Sequence, residues 1–173
     1  VTSNKALVAK HGPELLKTAK ENNVSYLFEA SVGGAIPILR PLAVCLTADR
    51  IEEIYGILNG TTNYILSKMA SEGEAFEDVL KTAQKLGYAE ADPTADVEGH
   101  DACRKIAILS SIAFGGTVNF EEIYTEGISK ITSADIDYAK EAGLVIKLIA
   151  SSKKTESGVK AIVSPCLLRL EHP

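Results

Sequence analysis

The sequence predicts an α+β fold, in which helices cover one face of a mixed or mostly antiparallel sheet. Amphipathic stretches with helix-capping residues cluster in the middle of the chain, between β-rich runs that stand apart from one another. Two long β-rich runs close the sequence across a short polar turn, the layout of a hairpin. No internal repeat, low-complexity tract or linker interrupts the chain.

Val8–Asn22 carries apolar residues at Val8, Leu15, Leu16 and Ala19, and Pro13 suits the first turn of a helix running to about Glu21. Val24–Ala30 is a β-rich run that ends in the glycine turn Val32-Gly33-Gly34-Ala35-Ile36-Pro37. Ile38–Cys45 is apolar and reads as helical, and Arg50–Leu58 reads as a second strand. Asn59-Gly60-Thr61-Thr62-Asn63 turns into a helix through Ala70, and Phe76–Leu86 is an amphipathic helix closed by Gly87. Tyr88–Gly99 reads as a polar loop. Asp101–Phe114 is a helix stopped by Gly115-Gly116, and Ser133–Ala142 is a short helix with Ser133 as its N-cap and Gly143 as its stop. Leu144–Ser151 and Val159–Leu170 are the closing strands, joined through Lys153–Gly158.

The chain has 173 residues, 46% of them apolar, 24% charged, with a net charge of −5. That is the make-up of an ordinary globular domain with a sizeable core, and it excludes a disordered or fibrous chain. The acidic balance argues against nucleic acid as a partner, and no apolar run is long enough for a membrane helix. Cys45, Cys103 and Cys166 are odd in number and far apart in apolar surroundings. They read as buried thiols of a reducing, cytoplasmic compartment. Val1-Thr2-Ser3-Asn4-Lys5 has the look of a strand already in progress, and Glu171-His172-Pro173 follows an apolar run with no closing element. Both ends lead us to expect a piece of a longer protein.

The densest chemistry lies between Gly87 and Lys105, where Glu90, Asp92, Asp96, Glu98 and Asp101 precede the lysine. The plain alternative is a solvated acidic loop with Asp101 and Lys105 as a surface i,i+4 pair. The spacing lacks the alternating ligands and central glycine of a calcium loop. Counting about 100° per residue from Asp101, Lys105 falls near 40°, between Ile112 and Leu109 on the apolar stripe. On the same count Arg104 falls on the opposite side, where a solvated cation belongs. A lysine on the buried side wants a paired charge, and Asp101 stands one turn away. Burial and a neighbouring carboxylate pull its pKa in opposite directions, which is how an amine is poised for proton transfer; the alternative is a lysine snorkelling past Leu109. The Asn59–Asn63 turn offers exposed amides at a helix start, a place for a carboxylate or phosphate as well as a plain cap. Gly33-Gly34 would allow close approach to a ligand, although most glycine pairs are plain turns. A G-x-G-x-x-G dinucleotide fingerprint, metal-ligand histidine spacing and a nucleophile elbow are all lacking from the sequence.

The run Ala83-Gln84-Lys85-Leu86-Gly87-Tyr88-Ala89-Glu90-Ala91-Asp92-Pro93-Thr94-Ala95-Asp96-Val97-Glu98-Gly99-His100-Asp101-Ala102-Cys103-Arg104-Lys105 resembles the signature of the homoserine dehydrogenases. That signature asks for an Ala, a Gly, an Asp-Pro, an Asp, a Gly, an Asp and a Lys at fixed offsets. Glu29–Pro37 and Gly56–Tyr64 are similar to two further blocks of the family, and Asn4-Lys5 to the end of its last Rossmann strand. The resemblance covers essentially the whole chain. It implies NAD(P)-dependent interconversion of L-homoserine and L-aspartate 4-semialdehyde, on the route to threonine, methionine and isoleucine. Lys105 would be the proton donor to the carbonyl oxygen, with Lys5 a second cation between nicotinamide and substrate. Glu90 and Asp101 would hold the substrate's amino end, with Gly60 and Thr61 also at the substrate, and Gly87 would touch the dinucleotide. Glu29 with the backbone carbonyls of Val32, Gly34 and Ile36 would form a monovalent-cation site, usually sodium, and hard oxygen donors suit such an ion.

On this resemblance residues 1–5 end a nucleotide-binding domain and residues 6–173 are a catalytic and dimerisation domain, truncated at both ends. The Rossmann half is missing, so the chain alone is expected to be inactive, and a homodimer is expected. Two other readings stay open: a related dehydrogenase of another small amino acid, and a non-catalytic dimerisation or regulatory module. An anion-binding protein built on Gly60-Thr61-Thr62 is the weakest.

Overall fold

A computed structural model describes residues 1–172; Pro173, the last residue of the expected catalytic domain, lies outside them. Six helices are described: α1 (Lys5–Glu21), α2 (Gly60–Glu72), α3 (Phe76–Lys85), α4 (Thr94–Val97), α5 (His100–Phe114) and α6 (Ser133–Glu141). Four strands, β1 (Glu53–Gly56), β2 (Tyr124–Thr125), β3 (Leu144–Thr155) and β4 (Gly158–Arg169), form one sheet in the order β1-β3-β4-β2. A two-residue turn joins β3 to β4, which makes that pair an antiparallel hairpin, while β2 runs parallel to β4. The sheet is therefore mixed, as the sequence predicts.

The chain divides into two compact units. The first comprises Val1–Ile54, Cys103–Ile123 and Ser151–Ala161. Its α1 begins after the N-cap Asn4, whose side chain accepts from Leu7 N–H, well ahead of the helix expected to open around Pro13. Pro13 therefore sits inside the helix and not in its first turn. An interior proline removes one backbone bond and crowds the carbonyl four residues back, at a cost of about 3 kcal/mol, so the packing of Val8, Gly12 and Ala19 has to carry α1. The expected strand at Val24–Ala30 is not one. Thr2 N–H donates to Leu27 C=O at 2.9 Å, but no ladder forms around that bond, and Glu29–Ser31 closes into a short 3-10 turn. The expected helix at Ile38–Cys45 is realised from Leu39 on, with a π-type turn over Pro41–Cys45 and Pro41 in the first turn, where its missing N–H costs nothing. Ile106, Ala107, Ile108 and Leu109 are buried along α5, and the buried Ser110 hydroxyl meets Ser152 at 2.7 Å.

The second unit comprises Tyr55–Ala102, Tyr124–Ala150 and the described residues from Ile162 on. Here α2 packs against α3, α4 and α6, burying Ile65, Leu66 and Met69. The acidic stretch expected as a loop contains α4, and the expected strand Arg50–Leu58 shortens to β1. Thr132, not Ser133, caps α6, in a reciprocal capping box with Asp135 that satisfies two otherwise orphaned donors. Only Cys103 of the three thiols is buried; Cys45 is exposed and Cys166 half-buried, so the expectation of three buried thiols fails at those two positions. No described helix is long and apolar enough to cross a membrane.

Candidate functional site

In the second unit the start of α2 and the start of α5 are tied together by one side chain. Asn59 precedes α2 in extended conformation and its Oδ1 accepts from Thr62 N–H at 2.8 Å. Its Nδ2 donates to Asp96 Oδ1 at 2.7 Å and to Asp101 Oδ2 at 3.0 Å. Asp101 is 3% exposed, so the first turn of α5 holds a buried carboxylate. Two residues on, Thr61 donates its hydroxyl to the carbonyl of Tyr88 at 2.8 Å, which ties α2 to the segment of Gly87 and Glu90. The Tyr64 and Tyr88 rings pack with centroids 5.0 Å apart. Gln84 Nε2 donates to the carbonyls of Glu90 and Ala91 at 3.0 and 3.3 Å. Gly60, Thr61, Gly87, Glu90 and Asp101, five of the residues singled out in the sequence, are thus linked through short bonded chains within one unit.

Gly87 has φ +79° just past α3, and the space a Cβ would occupy there is open. The conformation closes the helix, as expected, and leaves bare backbone at the surface. Glu90 is exposed, and Asp92 is held ionised below the usual carboxylate range by the Thr94 hydroxyl and amide.

The remaining candidates lie in the first unit. Lys5 is the first residue of α1 and half-buried. Lys105 lies one turn beyond Asp101 along α5 and is half-buried, between a snorkelling surface lysine and a core one. Arg104 is not the plainly solvated cation expected. It is equally half-buried, with its guanidinium 5.9 Å from the centroid of the Phe120 ring.

The glycine turn is more organised than its sequence indicates. Glu29 Oε1 accepts from the amides of Ile38 and Leu39, the latter at 2.8 Å, and Oε2 accepts from Arg40 N–H at 2.8 Å. A Cβ on Gly33 would stand 2.8 Å from the carbonyl oxygen of Ile36, so the turn folds back on itself at that residue. The left-handed conformation falls on Ala35, with φ +60°, and not on Gly33 or Gly34. The Ser31 hydroxyl is buried without a hydrogen-bond partner. The Glu29 carboxylate is committed to three amides, and the turn also carries the main-chain carbonyls of Val32, Gly34 and Ile36. Neutral oxygens of this kind fit a hard, weakly charged cation and not a transition metal. Among the described residues no group of three or more His, Cys, Asp or Glu side chains is placed to hold a metal ion.

A family model of homoserine dehydrogenase matches residues 37–173. The chain belongs to the homoserine dehydrogenase family. Homoserine dehydrogenase of Synechocystis sp. is 51% identical over 177 residues, an alignment that takes in the whole chain and 41% of that protein. The Bacillus subtilis homoserine dehydrogenase is also 51% identical, over 40% of its length. The crystal structure of a homoserine dehydrogenase from Thiobacillus denitrificans superposes on 99% of the chain with a TM-score of 0.95 at 52% identity. A hyperthermophilic archaeal homoserine dehydrogenase solved in complex with NADPH gives a TM-score of 0.84 at 34% identity. The chain spans about 40% of the length of the curated homoserine dehydrogenases it matches.

Sequence reasoning missed two groups. Lys147 on β3 donates to Asn63 Oδ1 at 2.8 Å and Ser67 Oγ at 2.7 Å, and burial pushes its pKa down. A lysine within a strand carries no sequence signal for partners on a distant helix. Asn59 reads as a cap, but its two carboxylate partners are far along the chain.

Proposed function

We propose that the chain is the substrate-binding and catalytic part of an NAD(P)-dependent homoserine dehydrogenase, acting on L-homoserine and L-aspartate 4-semialdehyde. The observation that carries this reading is the buried Asp101, fixed at the start of α5 one helical turn ahead of Lys105. Asp101 and Glu90 take the ammonium group of the amino acid. The capping bonds of Asn59 run to Thr62 and Asn63, and we assign the amides of Gly60 and Thr61, at the positive end of α2, to the substrate carboxylate. The dinucleotide, when bound, supplies or accepts the hydride. Lys105 gives a proton from Nζ to the carbonyl oxygen during reduction and takes it back during oxidation, while Lys5 places a second positive charge near that oxygen. Open backbone at Gly87 suits close approach of the dinucleotide, whose main binding fold belongs to sequence beyond this chain.

The carbonyls of Val32, Gly34 and Ile36, with that of Glu29, are the donors we assign to a monovalent cation such as sodium. The Glu29 side chain would serve by holding the turn and not as a ligand. The exposed apolar side chains of Ile162 and Leu167 on β4, and Leu170 beyond it, support a homodimer. Three free thiols support a cytoplasmic location.

The test is Lys105→Ala in a protein of the relatives' full length. Activity with homoserine should fall by roughly 10²–10⁴-fold, the usual contribution of a general acid, with thermal unfolding unchanged. Activity equal to the parent's would remove Lys105 from the mechanism and leave Lys5 as the next candidate acid.

A further inference from the structure

The polar bonds of Asn59 exceed what a helix cap needs. The residue is 6% exposed, and its side-chain oxygen and main-chain carbonyl meet Thr62 N–H at 2.8 Å and Asn63 N–H at 3.3 Å. Ser, Thr or Asp would cap α2 as well. What they could not do is donate twice at the same time. The Asn59 amide nitrogen donates to Asp96 Oδ1 and Asp101 Oδ2, carboxylates from α4 and from the first turn of α5. Turning the amide over would set its oxygen against two carboxylates and its N–H groups against Thr62 N–H, so only one orientation is chemically consistent. Two carboxylates within reach of one nitrogen repel each other. A neutral double donor between them offsets that repulsion and leaves both negative charges in place, whereas a lysine or arginine there would neutralise them.

We infer that Asn59 is a positioning residue: by bridging Asp96 and Asp101 it fixes the Asp101 carboxylate where, with Glu90, it meets the ammonium group of the substrate. This rests on the homoserine dehydrogenase reading, and extends it by assigning the placing of Asp101 to a residue of the α2 cap.

The test compares two aldehydes in the full-length protein, L-aspartate 4-semialdehyde and 4-oxobutanoate, which is the same molecule without its α-amino group, and reads the change in their ratio on mutation. Asn59→Ser and Asn59→Thr each keep a capping oxygen and lose the two donations of the amide nitrogen. The ratio of kcat/KM for the amino aldehyde over the des-amino aldehyde should fall about 10–100-fold in Asn59→Ser, chiefly through KM for the amino substrate, with little change in thermal midpoint. A residue with only a structural role would lower both aldehydes together and leave the ratio alone, and that result overturns the inference. Should Asn59→Ser fail to fold, Asn59→Thr, a second capping hydroxyl without the amide's two donations, supplies the same comparison. A parent enzyme that does not distinguish the two aldehydes, yet turns over homoserine, also overturns the inference while sparing the reading beneath it. A parent with no turnover of homoserine overturns both.

Discussion

At Glu29 one carboxylate accepts from three successive residues, Ile38, Leu39 and Arg40, and so closes the glycine turn from its far side. Burial acts to raise its pKa, but the three amides and the Arg40 charge outweigh it, and the group stays below its ordinary 4.5. The sign of the pH effect follows. A carboxyl whose folded-state pKa is depressed contributes stability that is fully present above the unfolded value, and that stability is lost as pH falls through the folded value. Glu29→Gln should therefore destabilise the protein near neutral pH by about 1–3 kcal/mol, since one amide oxygen replaces two and its NH₂ faces donors. The difference from the parent should shrink below pH 4.5, and chemical denaturation at pH 7 and pH 3.5 checks both parts. An equal difference at both values would mean that the charge is irrelevant to the turn. Residue chemistry was legible where it was local. The cap at Asn59 and the left-handed Gly87 follow from neighbouring residues, whereas the cap at Asn4 fell in a segment that reads as the end of a strand. The second task of Asn59 was not legible, because Asp96 and Asp101 lie 37 and 42 residues away.

Among the elements, the acidic segment departs furthest from its expected form. It holds α4, and the backbone after β2 crosses directly over the end of that helix. Ile128 N–H donates to Val97 C=O at 2.7 Å, and a Cβ on Gly127 would stand 2.1 Å from that same oxygen. Backbone, not a flexible side chain, fills the space, so Gly127→Ala cannot be absorbed by a rotamer change. It should cost more than about 2 kcal/mol in chemical denaturation, against a few tenths for an alanine at an open helix-stop glycine of ordinary φ. A loss of under about 0.5 kcal/mol would contradict the close backbone crossing at Gly127. The helix α2 was legible from its Asn59 cap, and α3 and α5 from their apolar period and the glycines that stop them. The expected strand at Val24–Ala30 was not realised, since β propensity expresses itself only where a partner completes the ladder. β2 escaped notice because two residues carry no period, and α4 because a single turn hidden among charges has no apolar face.

For the whole molecule, the family is secure and the activity is the open step. The chain spans about 40% of its curated relatives, and one structural relative was solved with NADPH. A site that holds the amino acid and moves a proton still needs a dinucleotide fold to hold the hydride carrier. A sheet built on the closing hairpin was predictable, but its parallel strand β2 and the strand order were not, because they depend on which distant edges meet. The most direct measurement is homoserine-dependent reduction of NAD and NADP by the chain alone and by a protein of its relatives' full length. The account predicts turnover by the full-length protein with at least one dinucleotide, and little or none by the 173-residue chain. No turnover of homoserine with either dinucleotide, in a folded full-length protein, would contradict it.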